Sequence, residues 1–172
     1  AAAVNRLALL AEADLLLLLA RCLAEPHERD LGEFAEPECG WDAVLTPLAA
    51  EEAEWIGPAL RTLHGQARAA GFERLRLEST RLFHGAIACP LDETASIRRD
   101  KGNILADIAG FYRAFGLVPE VSRGEKPDHL PTELEFLALL LVMQARALED
   151  GRAEEAETAA TAVQSFAADH VG

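Results

Sequence analysis

Pro131-Thr132-Glu133-Leu134-Glu135-Phe136-Leu137-Ala138-Leu139-Leu140-Leu141-Val142-Met143 places two acidic residues in a first turn and only apolar side chains from Phe136 to Met143. Leu and Ala are strong helix formers, and the β-branched residues that favour strands are sparse. The stretch shows no period-two alternation, so a helix from Pro131 to about Glu149 is predicted. A helix that is apolar on every side belongs at the centre of a bundle.

Working outward, the helical period repeats. Upstream, Ile104, Leu105, Ile108, Phe111, Tyr112 and Phe115 form one apolar stripe of a helix that Ser96 is placed to open and Gly116 to end. Downstream, Gly151 breaks the chain before an amphipathic helix marked by Ala156, Ala160, Val163 and Phe166. A first helix is predicted from about Val4 to Ala24, stopped by Glu25-Pro26. Residues 26–42 read as loop, and a helical stretch follows from Trp41 to Ala49. Glu51 to Ala70 reads as a longer helix with Trp55, Leu60 and Leu63 on its apolar side, and Gly57-Pro58 predicts a kink or break within it. Phe72 to Phe83 is a further short helix, and Gly85 to Thr94 a loop. No linker or repeat intervenes, so residues 1–172 are expected to form one all-α domain, a helical bundle.

Composition narrows the function. At 172 residues and 50% hydrophobic, the chain can bury a core without staples. Sixteen Lys and Arg against 29 Asp and Glu give a net charge of −13, which repels phosphate backbones and argues against nucleic acid as a partner. Such a surface suits a basic peptide, and it also serves solubility alone. Cys22, Cys39 and Cys89 are odd in number and irregularly spaced, neither a disulfide framework nor a zinc pair, and fit a reducing cytoplasm. The apolar run Leu15 to Ala20 is far shorter than the roughly 20 residues of a membrane span. Glu12 and Asp14 precede it instead of basic residues, so it reads as buried helix and no stable membrane insertion is expected. With Ala at position 1, the native N-terminus is expected to lie further upstream.

Catalytic constellations are missing from the sequence. His27, His64, His84, His129 and His170 include no pair four residues apart, so no helical metal-binding pair is present, and no metal or cofactor is expected. There is no G-x-S-x-G elbow for a nucleophile and no glycine-rich phosphate loop. Cys89, near His84 and followed by Pro90, reads as a buried inert thiol before it reads as a nucleophile. The basic spot Arg98-Arg99-Asp100-Lys101 reads as a solvated face before it reads as a phosphate site.

Two segments are distinctive. They are Asp128-His129-Leu130-Pro131-Thr132-Glu133-Leu134-Glu135-Phe136-Leu137 and Ala106-Asp107-Ile108-Ala109-Gly110-Phe111-Tyr112-Arg113-Ala114-Phe115-Gly116-Leu117. With Arg81-Leu82-Phe83-x-Gly85 and Cys89-Pro90-Leu91-x-Glu93 upstream, they resemble the signature segments of the TorD/DmsD/NarJ family of redox-enzyme maturation chaperones. The likeness is strongest from about Glu78 to Met143. It implies an all-α bundle that is not an enzyme and has no cofactor of its own. It also implies a cytoplasmic chaperone, monomer or homodimer, that binds the twin-arginine signal peptide or the core of a molybdopterin oxidoreductase and delays export until maturation. Members of the family usually continue beyond the last helix, so the end at Asp169-His170-Val171-Gly172 is expected to be trimmed or to have a disordered tail.

From local chemistry alone, Asp128 caps the helix, Pro131 starts it, and Thr132 with Glu135 makes a capping box. The resemblance adds a second reading. Asp128 and His129, a carboxylate beside an exposed imidazole, become a receptor for guanidinium, with Leu130, Pro131 and Glu133 beside them. Tyr112 is expected in the core with its hydroxyl near the groove, and Asp107 with Arg113 as a solvated pair. Phe83 and Trp55 are candidates for an apolar groove that takes the leader, with core packing the alternative for each. Two other classes compete: a nucleotide hydrolase, for which no phosphate loop exists, and a helical bundle whose role is oligomerisation alone.

Overall fold

The computed structural model describes residues 6–24, 44–48, 50–84, 88–118 and 126–171. Among them lie six α-helices: α1 (Arg6–Leu23), α2 (Ala50–Ala70), α3 (Phe72–Ser79), α4 (Lys101–Ala114), α5 (Leu130–Glu149) and α6 (Ala153–Phe166). π-helical turns follow α3 at Thr80–His84 and α6 at Ala167–Val171, and a 3-10 turn spans Glu93–Ala95. The all-α reading holds. The expected loop at 26–42, and residues 41–43 and 49 of the stretch Trp41 to Ala49, lie outside the described residues.

α5 is the central helix that its composition predicts. α1 packs along one side of it and α6 along another. Leu134, Phe136, Leu137, Ala138, Leu140 and Leu141 are all buried, and Val142 and Met143 are the part of the apolar run that reaches solvent. Against α1 the contact is made by Leu9, Ala13, Ala138, Leu141 and Ala145, where alanines allow close approach. Arg6 and Glu149 pair at 2.9 Å, so the two helices run antiparallel. On the other side Ile108 and Tyr112 of α4 meet Phe136, Leu140 and Phe166. The rings of Tyr112 and Phe136 stand edge-on at 4.8 Å, as do those of Phe136 and Phe166 at the same separation. Each such pair adds about 0.5–1.5 kcal/mol beyond its buried area.

Glycines end the two signature helices as the sequence predicts. Gly116 has φ 76°, its N–H donates to Arg113 O and that of Leu117 to Tyr112 O. Gly151, φ 71°, repeats the pattern, with N–H donors of Gly151 and Arg152 on Leu148 O and Ala147 O. Only glycine adopts this left-handed geometry without strain.

Of the kink or break expected at Gly57-Pro58, α2 shows no break, because Ile56, Leu60 and Ala67 are held against α1, Leu45 and Leu48 and packing outweighs the missing N–H. Three other local expectations fail. The apolar side of α2 is Ala53, Ile56, Leu60 and Ala67, while Trp55 is 67% and Leu63 43% exposed. α4 starts at Lys101 rather than near Ser96, with Asp100 at φ 61° as its N-cap. Cys89 is exposed, because residues 88–90 form an irregular surface segment. The half-buried Cys22 thiol is instead pushed up to about 11 by desolvation. A thiol reagent at neutral pH is therefore expected to modify Cys89 well before Cys22, as peptide mapping after timed quenching would show.

Candidate functional site

The D-H-L-P-x-E segment enters α5 by docking onto the chain just before the 3-10 turn. Leu130 N–H donates to Leu91 O at 2.9 Å, and Glu93 N–H donates to Asp128 O at 2.9 Å. These bonds make an isolated antiparallel bridge between Asp92 and His129. Side chains reinforce the clasp. Asp128 Oδ2 accepts from Thr94 N at 3.0 Å and from Thr94 Oγ1 at 2.6 Å. His129 Nδ1 lies 3.0 Å from Asp92 Oδ1, and the Lys126 ammonium donates to Asp92 Oδ2. Burial pushes the Asp92 carboxyl up, but the hydrogen bonds from Lys126 and His129 outweigh it and hold the group below its ordinary value.

The helix start is built without a side-chain cap. His129 is the N-cap residue in extended geometry, and Pro131 occupies the first turn. The Asp128 carboxylate, expected to cap α5, is fully buried and turned to Thr94, and the expected capping box of Thr132 and Glu135 does not cap the helix either. Glu133 is 1% exposed, and its carboxyl is pushed up to about 8 by desolvation and by Glu93, Asp128 and Asp92. Among the described residues, Asp128 Oδ1 and Glu133 Oε1 are buried atoms with no hydrogen-bond partner. Tyr112 is buried, its hydroxyl donates to Pro127 O at 2.8 Å, and burial raises its titration above the usual range.

Beside the clasp a groove opens between the end of α4 and the N-terminal half of α5. It is lined by Tyr112, Leu117, Val118, Thr132, Glu135, Phe136 and Leu139, a floor of apolar side chains with the exposed carboxylate of Glu135 on its rim. Val118 is 85% exposed.

Asp128, His129, Leu130, Pro131, Glu133 and Tyr112 are thus brought together. The carboxylate beside the His129 ring is that of Asp92, and Asp128 and Glu133 point inward. Phe83 is half-buried in the turn Thr80–His84, Trp55 projects from α2, and neither lines the groove. Asp107, expected to pair with Arg113, bonds instead to His170. Sequence reasoning missed Asp92, Thr94, Lys126 and His170. Their partners lie 34 to 77 residues away, and no local pattern marks them. Among the described residues no cluster of His, Cys, Asp or Glu could hold a metal ion, and no helix is long and apolar enough to cross a membrane.

A central helix with an apolar run, entered through a buried acidic clasp, organises an all-α bundle. The family model described as nitrate reductase delta subunit matches residues 47–172, and the chain belongs to that NarJ/TorD-like family. It is similar to a chlorate reductase assembly chaperone protein of Ideonella dechloratans, 40% identical over 73 residues, which are 42% of this chain and 37% of that protein. It is also similar to a selenate reductase assembly chaperone protein of Thauera selenatis, 38% identical over 71 residues, 41% of this chain and 36% of the relative. The aligned stretch thus spans little more than a third of either relative's length. No solved structure matches significantly.

Proposed function

We propose that this chain, acting as one helical unit, is an assembly chaperone for a molybdenum-containing reductase. In this reading it carries out no reaction of its own. It binds the client's twin-arginine leader in the cytoplasm and delays export until the cofactor is in place. The observation that carries the reading is the groove beside the clasp. Its apolar floor of Leu117, Val118, Phe136 and Leu139 complements the apolar body of a leader, and Glu135 on the rim complements its arginines. His129 and Leu130, both partly exposed, extend that surface, while Asp128, Pro131, Glu133 and Tyr112 position it. The net charge of −13 draws in a basic ligand from a distance.

Calorimetric titration with a synthetic leader carrying an intact arginine pair tests this. Because the peptide must be ordered on binding, affinity of about micromolar is expected. Glu135→Gln, or replacing the arginine pair by lysines, is expected to weaken it roughly three- to tenfold, since the bidentate contact is lost. Leu139→Asp is expected to weaken it at least about tenfold by placing a carboxylate on the apolar floor. Added salt weakens it only in part, because apolar contact is unscreened. Binding that survives Leu139→Asp unchanged would remove the groove from the reading.

A further inference from the structure

The π-helical turn after α6 returns to the clasp through one side chain. His170 is 4% exposed, its Nδ1 lies 3.0 Å from Glu93 Oε2, and its Nε2 lies 3.2 Å from Asp107 Oδ2. The rings of Phe166 at 4.9 Å and Phe111 at 6.0 Å enclose it. A neutral imidazole donates from one ring nitrogen only, so two carboxylates on two nitrogens call for the imidazolium. Glu93 is also the residue whose N–H holds Asp128 O, and it precedes Thr94, which holds the Asp128 carboxylate. The C-terminal turn, α4 and the 3-10 turn that holds Asp128 therefore meet at a single titratable ring.

We propose that His170 is a positioning residue, a proton-dependent latch that keeps the 92–94 turn seated on residues 128–130. With His170 charged, Glu93 is drawn toward the C-terminal turn and the clasp is closed. Loss of the proton turns one nitrogen lone pair toward a carboxylate, breaks one charge-assisted bond and loosens the clasp. The groups facing His170 are Glu93 from the 3-10 turn and Asp107 from α4, with Glu133 of α5 coupled to Glu93 from behind. All are acidic. The link from clasp to client binding rests on the function proposed above, but the latch itself does not.

Amide hydrogen exchange on the full chain, corrected for intrinsic rates, tests the latch without any client. The reporters are the N–H groups of Glu93, Thr94 and Leu130, which donate to Asp128 O, Asp128 Oδ2 and Leu91 O. From about pH 5.5 to 8.5 their protection is expected to fall about tenfold, the worth of one charge-assisted bond in the opening equilibrium. Because Glu133 also titrates within this range, the comparison is made in a Glu133→Gln background. That variant is expected to retain a fall, which is then assigned to His170. Adding His170→Lys, which keeps a positive charge throughout, is expected to abolish it, and adding His170→Ala to give low protection at every pH. A fall that persists in the Glu133→Gln, His170→Lys double variant or is absent from Glu133→Gln overturns the proposal. Should the His170→Ala variant not fold, the lysine variant decides alone.

Discussion

Asp128→Ala is expected to lower the free energy of unfolding by about 3 kcal/mol, because it strips the acceptor from two buried donors at once. Thr94 N–H and Thr94 Oγ1–H both point at Asp128 Oδ2, at 3.0 and 2.6 Å, and Thr94 is itself 4% exposed. Asp128→Asn keeps a carbonyl oxygen for the same donors and exchanges one unpartnered buried atom for another, so it is expected to cost under about 1 kcal/mol. Thr94→Val removes the hydroxyl bond and leaves the backbone one, with an expected cost of about 1 kcal/mol. Urea unfolding of the three variants gives the order directly. The same variants separate two roles for Asp128. If it positions the segment, leader affinity follows stability and survives in Asp128→Asn. If it binds a client arginine, Asp128→Asn loses affinity while remaining stable.

The parts of the fold that could be read from the sequence are those whose cause is local. The apolar run of α5 and the stripe of α4 state their own period, and Gly116 and Gly151 end helices where only glycine fits. Pro58 does not break α2, because the contacts of Leu60 and Ala67, which its local sequence does not show, hold the helix together. Ser96 looked like a helix start, yet Ile97 N–H turns back onto Thr94 O and the chain between there and Lys101 stays irregular. At the site, D-H-L-P-x-E was conspicuous, but the direction in which each side chain points was not. A short acidic residue in a loop reads equally as cap, receptor or buried anchor. The choice was made by Thr94, 34 residues earlier in the chain. A carboxylate near a helix N-terminus ordinarily favours the dipole, whereas at Glu133 burial overrides that benefit.

That override sets the second large effect. In the unfolded chain the Glu133 carboxyl titrates near 4.5, and in the folded protein it is pushed up to about 8, first by desolvation and then by Glu93, Asp128 and Asp92. Between these values the folded state holds more protons than the unfolded one, so stability falls as pH rises through the window and levels off above it. Glu133→Gln carries no titratable proton and removes that slope. The variant is expected to match the native protein near pH 5 and to exceed its stability by roughly 2–4 kcal/mol near pH 9. Urea midpoints measured across this range give the difference at each pH. Asp92 works in the opposite sense: its lowered value supplies stability that is lost as the solution becomes acidic. The native chain is therefore expected to be most stable in the mildly acidic region between the two, where Asp92 is ionised and Glu133 is not. A Glu133→Gln variant whose advantage does not grow with pH would mean that the native carboxyl is ionised throughout, its charge met by groups that the buried clasp does not supply.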